Sequence, residues 1–108
     1  MAGLGNFSDL MKQAQRMQRD MGRIQEELKE RYVEGSAGDG TVKVVCSCSG
    51  ELVKVEISKD AVDPDDPSLL EDLVVAAVNT GLKKAEEIRQ AEMAKVTGGM
   101  ELPFKLPF

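Results

Sequence analysis

In the N-terminal part of the chain, apolar residues recur at alternating intervals of three and four: Phe7, Leu10, Ala14, Met17, Met21, Ile24 and Leu28. This heptad seam predicts an amphipathic helix with one face made to meet another helix. The helix is expected to start after Gly3-Leu4-Gly5, with Asn6 as N-cap and Asp9 three residues on, and to run to about Arg31. Its length would be roughly 35 to 40 Å. Gly22 lies off the seam and costs the helix about 1 kcal/mol relative to alanine. It is either tolerated there or allows something to approach closely.

Beyond the helix the period falls to two. Arg31-Tyr32-Val33-Glu34 can extend as a short strand, and Gly35-Ser36-Ala37-Gly38-Asp39-Gly40 is dense in turn residues. From Thr41 to Cys48, residues Val42, Val44, Cys46 and Cys48 alternate with Lys43, Val45 and Ser47, and Ser49-Gly50 reverses the chain. Leu52 to Ser58 repeats the alternation, with Val53, Val55 and Ile57 expected inward and Lys54 and Glu56 outward. Three antiparallel strands with one apolar face call for a covering helix.

Asp60 to Pro67 reads as a loop. Asp66 as N-cap, Pro67 in the first helical position and Glu71 in the first turns announce a second helix. Its apolar residues run from Leu69 and Leu70 through Leu73, Val74, Ala77, Val78, Leu82, Ala85 and Ile88 to Val96, and Gly98-Gly99 ends it. The part from Leu69 to Val78 is apolar over a wide arc and is expected on the sheet. The later part, with Glu86, Glu87, Arg89, Glu92 and Lys95, is expected to project into solvent or onto a partner. Met100 to Phe108 contains Pro103 and Pro107, which preclude a helix. It reads as an extended tail, either a flexible terminus or an apolar arm that docks into a groove. The expected fold is α+β, in the order α-β-β-β-α, as one domain over residues 1–108 with residues 1–5 and 99–108 as flexible tails.

Composition narrows the function. A chain of 108 residues buries only about two thirds of its unfolded surface, so association with a partner is a natural supplement. Six methionines against three phenylalanines, one tyrosine and no tryptophan leave few aromatic anchors. The absence of histidine removes the commonest general base and the commonest transition-metal ligand. Cys46 and Cys48 lie two apart in a strand, a poor arrangement for a disulfide, and make a weak zinc case; they read as small buried residues in a reducing compartment. Adjacent carboxylates such as Asp65-Asp66, Glu71-Asp72 and Glu86-Glu87 read as surface or capping groups, and Gly3-Leu4-Gly5 lacks the strand and lysine of a phosphate loop. No enzymatic activity, cofactor, metal or small-molecule substrate is expected. No apolar run approaches the ~20 residues needed to span a bilayer, and a cytoplasmic location is expected.

Fourteen Lys and Arg against nineteen Asp and Glu give a net charge of −5 and a pI near 4.8. Contact with a polyanion must therefore use a local patch. One is available: Lys12, Arg16, Arg19 and Arg23 take the c and f positions of the heptad, opposite the seam. They cover about 16 Å of helix axis, comparable to the ~12 Å width of the DNA major groove. Lys83, Lys84 and Arg89, interleaved with acids on the second helix, are a weaker set. With no aromatic platform for stacking, DNA binding by either would be mostly to the backbone and weakly sequence-selective.

Taken in order, Leu4-Gly5-Asn6, Met11-Lys12-Gln13-Ala14-Gln15 with Met17-Gln18, Leu70-Glu71-Asp72-Leu73-Val74, Gly99-Met100, Leu102-Pro103 and Pro107-Phe108 resemble the YbaB/EbfC family of small bacterial nucleoid-associated proteins across essentially the whole chain. The resemblance implies a helix, three-stranded sheet and helix in each subunit, paired into a tweezer-like homodimer. It also implies binding to double-stranded DNA, organisation of the nucleoid and no catalysis; no membrane partner is expected. Lys12 lies inside the matched motif, whereas Arg16, Arg19 and Arg23 follow from spacing. The competing reading is a protein-interaction module that uses the seam and the C-terminal tail.

Overall fold

The computed structural model describes residues 2–97. Helix α1 (Ala2–Lys29) leads into strands β1 (Tyr32–Ala37), β2 (Val42–Ser47) and β3 (Leu52–Ile57), a 3-10 turn (Lys59–Ala61) and helix α2 (Pro67–Thr97). This is the expected α-β-β-β-α, α+β architecture. The strands form one antiparallel sheet in the order β1-β2-β3.

Several local expectations are corrected. α1 starts at Ala2, so Asn6 lies inside the helix instead of capping it, and residues 2–5 are helical. β1 continues to Ala37, past the glycine expected to open the turn. The reversal falls at Gly38, Asp39 and Gly40, all with positive φ (60°, 55° and 85°), and the Thr41 amide closes it by donating to the Gly38 carbonyl at 3.1 Å. The acidic loop contains the 3-10 turn, whose start is capped by Ser58 Oγ accepting from the Asp60 amide. α2 begins at Pro67 as expected, with Ser68 Oγ donating to Asp66 Oδ1 at 2.7 Å. The expected tail from Met100 to Phe108 lies outside the described residues.

Two glycines explain how α2 sits. Gly35 is buried inside β1, and a Cβ there would meet the Ala77 carbonyl and stand 2.8 Å from Gly81 Cα. A Cβ on Gly81 would stand 2.9 Å from Cys46 Sγ. The backbone of α2 therefore rests directly on β1 and β2, closer than side chains would permit. Val42, Val44, Cys46 and Ala77 form the fully buried centre of this contact, with Leu70, Leu73, Val74 and Val78 packed around it. Ser47 is also buried; its hydroxyl hydrogen-bonds Ser49 Oγ at 2.7 Å and accepts from the Glu51 amide at 3.2 Å.

This seating corrects the expectation that one helix covers the whole apolar face. α2 lies over β1 and β2, while Leu52, Val53, Val55 and Ile57 of β3 stay 39–55% exposed. Val55 pairs with Val44, Ile57 with Val42 and Leu52 with Cys46, so their side chains share the face of the core without being under the helix. A bulge between Val45 and Cys46 offsets the register by the extra residue Val53.

The second half of the α1 seam finds its partner in the same chain. Ile24 and Leu28 are buried with Met93 and Cys48, and Met21, Val33, Ile88 and Val96 pack around them. The later part of α2, expected in solvent or on another molecule, thus docks on α1. The Arg31 guanidinium meets Glu92 Oε1 at 3.3 Å beside this junction. Among the described residues the first half of the seam has no such cover. Accordingly the molecule is long, 77 × 24 × 17 Å, with a radius of gyration of 20.2 Å against about 13 Å for a compact chain of this length.

Candidate nucleic-acid interface

Lys12, Arg16, Arg19 and Arg23 are all exposed. The heptad that buries Ile24 and Leu28 against α2 turns these four outward. Arg23 lies 3.9 Å from Asp20 at an open site, a separation worth little in water. Lys12, Arg16 and Arg19 make no ion pair among the described residues. Asp9 and Glu26 hold the next c and f positions on either side, so the positive stretch is bounded at both ends. The same stretch contains Gly22, around which nothing lies within 4 Å of an added Cβ. Gln15 is exposed at a b position on this outer face and adds an amide donor. Charge counting passed over Gln15, although its heptad position was readable.

The weaker set is not brought onto the stripe. Lys84 Nζ donates to the Glu34 carbonyl at 2.9 Å, across the joint between α2 and β1. Arg89 Nη1 donates to the Cys48 carbonyl at 3.1 Å. Both cations are held against the backbone of the fold, whereas Lys83 is exposed and makes no side-chain hydrogen bond or ion pair among the described residues. The sequence carried no signal for these ties, because the partners lie 50 and 41 positions away.

Two other features bear on chemistry. Beside Arg89 a cavity of about 320 Å³ is lined by Gln25, Leu28, Lys29, Ser49, Arg89 and Met93. Cys46 and Cys48 are free thiols, both buried, and burial pushes the Cys46 thiol above its ordinary range. Among the described residues no group of three or more Cys, Asp or Glu is arranged to hold a metal ion. No described helix is long and apolar enough to cross a membrane.

The chain and its fold have counterparts among known proteins. A nucleoid-associated protein of Acetivibrio thermocellus is 53% identical over 96 residues, covering 89% of this chain and 85% of its own. One from Exiguobacterium is 52% identical over 103 residues, covering 95% and 98%. The crystal structure of an uncharacterized protein from Helicobacter pylori superposes with a TM-score of 0.75 at 26% identity, over 85% of this chain and 97% of that one. Residues 3–100 match the YbaB/EbfC DNA-binding family, and with the fold, the seam and the outward basic stripe in place, the chain belongs to that family.

Proposed function

We propose that this protein is a non-catalytic, nucleoid-associated DNA-binding protein that grips duplex DNA through backbone contacts as a homodimer, and so helps to organise the nucleoid or regulate gene expression. The observation that carries this reading is the run of four exposed cations on the outer face of α1, with Asp9 and Glu26 at its ends and a single acid, Asp20, beside Arg23 within it. Arginines at this spacing suit phosphate oxygens, and Gly22 lets the duplex approach the helix. Binding to the chromosome would place the protein on the nucleoid in the cytoplasm. Lys83 adds a lesser contact, while Lys84 and Arg89 serve chiefly to hold α2. The names of the relatives, nucleoid-associated proteins, support the same assignment.

The homodimer rests on β3. Among the described residues it is an edge strand with no partner on its outer side and four exposed apolar side chains, continuous with the core that α2 leaves open. A second copy of the same strand covers such an edge isologously. Substituting Val55→Glu is expected to give a folded monomer in sedimentation, and a dimer that persists would place the contact elsewhere.

The net charge of −5 and the exposed Phe7 and Leu10 favour the competing interaction-module reading. Salt dependence separates the two. Fluorescence anisotropy on a short duplex should show saturable binding with log K falling against log salt at a slope of about −7, for four phosphate contacts per subunit in a dimer. Arg16→Glu with Arg19→Glu should abolish it without unfolding the protein. Absence of binding at low salt would make the interaction module the better reading, and binding kept by the double variant would remove the stripe as the site.

A further inference from the structure

Three large apolar side chains stand side by side on the first half of α1: Phe7 and Leu10 are each 62% exposed and Met11 is 47% exposed. Ala14, the next seam residue, is exposed and Met17 is half-buried. Among the described residues, α2 takes over the seam only from Met21 onward, through Ile88, Met93 and Val96. The positions that border the uncovered stretch carry no charge: Met11 and Gln18 hold e, and Asn6 and Gln13 hold g. From Asp9 to Arg19 every charged residue sits at c or f. An apolar strip with neutral borders, on a helix whose outer face is highly charged, is a surface for another helix.

We propose that this stretch pairs antiparallel with the same stretch of a second copy, seam to seam, so that the paired helices turn their basic stripes in opposite directions and join two DNA duplexes. The sequence is self-complementary in that orientation. In an antiparallel pair each a position meets a d position of the other helix, and one register satisfies every layer. Phe7 meets the partner's Met17, Leu10 meets the partner's Ala14, and the two reciprocal layers repeat these contacts. The small Ala14 leaves the space that Leu10 fills. At the borders, Met11 and Gln13 each lie near their own counterparts, and Asn6 lies near the partner's Asp20, so no like charges are opposed. Parallel pairing would stack Phe7 on Phe7 and Ala14 on Ala14, crowding one layer and emptying another, and would bring two helix N-termini together. Phe7 to Met17 spans about 15 Å, or about three turns. A contact of that length falls at the small end of specific interfaces. It is weak between free molecules and forms where copies are concentrated side by side, as on DNA. Lys12, Arg16, Arg19 and Arg23 lie opposite the seam, so a pair presents two open stripes about 20 Å apart, across two helix diameters. The helix pairing is independent of the β3 contact and of DNA; the joining of duplexes rests on the DNA reading of the stripe.

The test uses the full chain in two variants, Leu10→Cys and Ala14→Cys, mixed in equal amounts at high concentration without DNA and oxidised. In this register positions 10 and 14 oppose each other, whereas like positions stand about 6 Å apart along the axis. Linked pairs are identified by mass, and the parent chain, whose Cys46 and Cys48 are buried free thiols, sets the background. Mixed disulfides between positions 10 and 14 are expected in about tenfold excess over either like pair, where random collision gives only about twofold. A random ratio, a preponderance of like pairs, or no linked pairs above background would overturn the pairing. The joining of duplexes is read with beads that carry one duplex and capture a second, labelled one. Phe7→Ser with Leu10→Ser, both exposed and outside the packed core, should lower capture about tenfold while anisotropy on one short duplex matches the parent. Undiminished capture would overturn the bridge. Failure of the parent to bind a single duplex would overturn the DNA reading and the bridge with it, and the disulfide ratio still decides the helix pairing.

Discussion

Replacing Gly35 by alanine adds one methyl group where the backbone of α2 passes closest to β1. The new carbon would meet the Ala77 carbonyl and stand 2.5 Å from the Gly81 nitrogen and 2.8 Å from Gly81 Cα. These are backbone atoms inside a helix, and no rotamer change moves them. Restoring carbon–carbon separations of about 3.5 to 4.0 Å pushes α2 outward by about 1 Å, which opens the contacts of Val44, Cys46 and Ala77, all fully buried. Overpacking of this kind costs about 1 to 3 kcal/mol, and the rigidity of the obstacle puts this site at the upper end. The loss of glycine from a strand returns about 0.5 to 1 kcal/mol, leaving a net destabilisation of about 2 to 2.5 kcal/mol, a large fraction of the 5 to 15 typical of a small domain. Gly22→Ala is the matched control. It adds the same methyl group inside a helix with nothing within 4 Å, and should stabilise by about 1 kcal/mol. Urea unfolding followed by circular dichroism, at one fixed protein concentration because the proposed homodimer would make stability concentration-dependent, measures both. A Gly35→Ala protein within about 1 kcal/mol of the parent would show that the close seating of α2 on β1 does not govern the fold.

Three further outcomes are expected. Arg89→Met removes the donor to the Cys48 carbonyl and should lower stability by about 1 kcal/mol, with faster amide exchange at residues 48–51; unchanged exchange would show the bond to be dispensable. Glu92 is held below its ordinary value of 4.5 by hydrogen bonding to Lys95 and then by Arg31. A depressed carboxyl contributes stability above its unfolded pKa and loses it as pH falls through the folded value, so the parent should lose more stability than Glu92→Gln between about pH 5 and about pH 3; parallel losses in urea titrations would contradict this. Buried and with a raised thiol, Cys46 should react with a thiol reagent no faster than the protein opens, and immediate native-state labelling of Cys46 would refute its burial.

The parts readable in advance were those governed by neighbours in sequence. The seam from Phe7 to Leu28, the alternation from Val42 to Cys46 and the Asp66-Pro67 start of α2 each announce an element through local pattern. Gly35 misled because its composition says turn, while its role is to admit a helix from 46 residues further on in the chain, Gly81. The same close approach decides which strands α2 covers, so the exposure of Val55 and Ile57 could not be read from their alternation. On the candidate interface, the outward placement of Lys12, Arg16, Arg19 and Arg23 followed from the heptad alone. Lys84 and Arg89 belonged to the weaker set because acids are interleaved with them, and only the fold reveals that each already donates to a backbone carbonyl.

The edge strand also bears on how the chain avoids runaway assembly. An open strand carrying Leu52, Val53, Val55 and Ile57 is a template to which any extended segment could add, and addition without closure grows fibres. Two features work against that outcome. The bulge at Val53 breaks the register that an indefinitely repeating ladder requires, and the Lys54–Glu56 pair, 2.7 Å apart, sets charge on the opposite side of the strand, where a stacked sheet would have to bury it. Together they disfavour open-ended addition at this edge and favour any association that closes on itself.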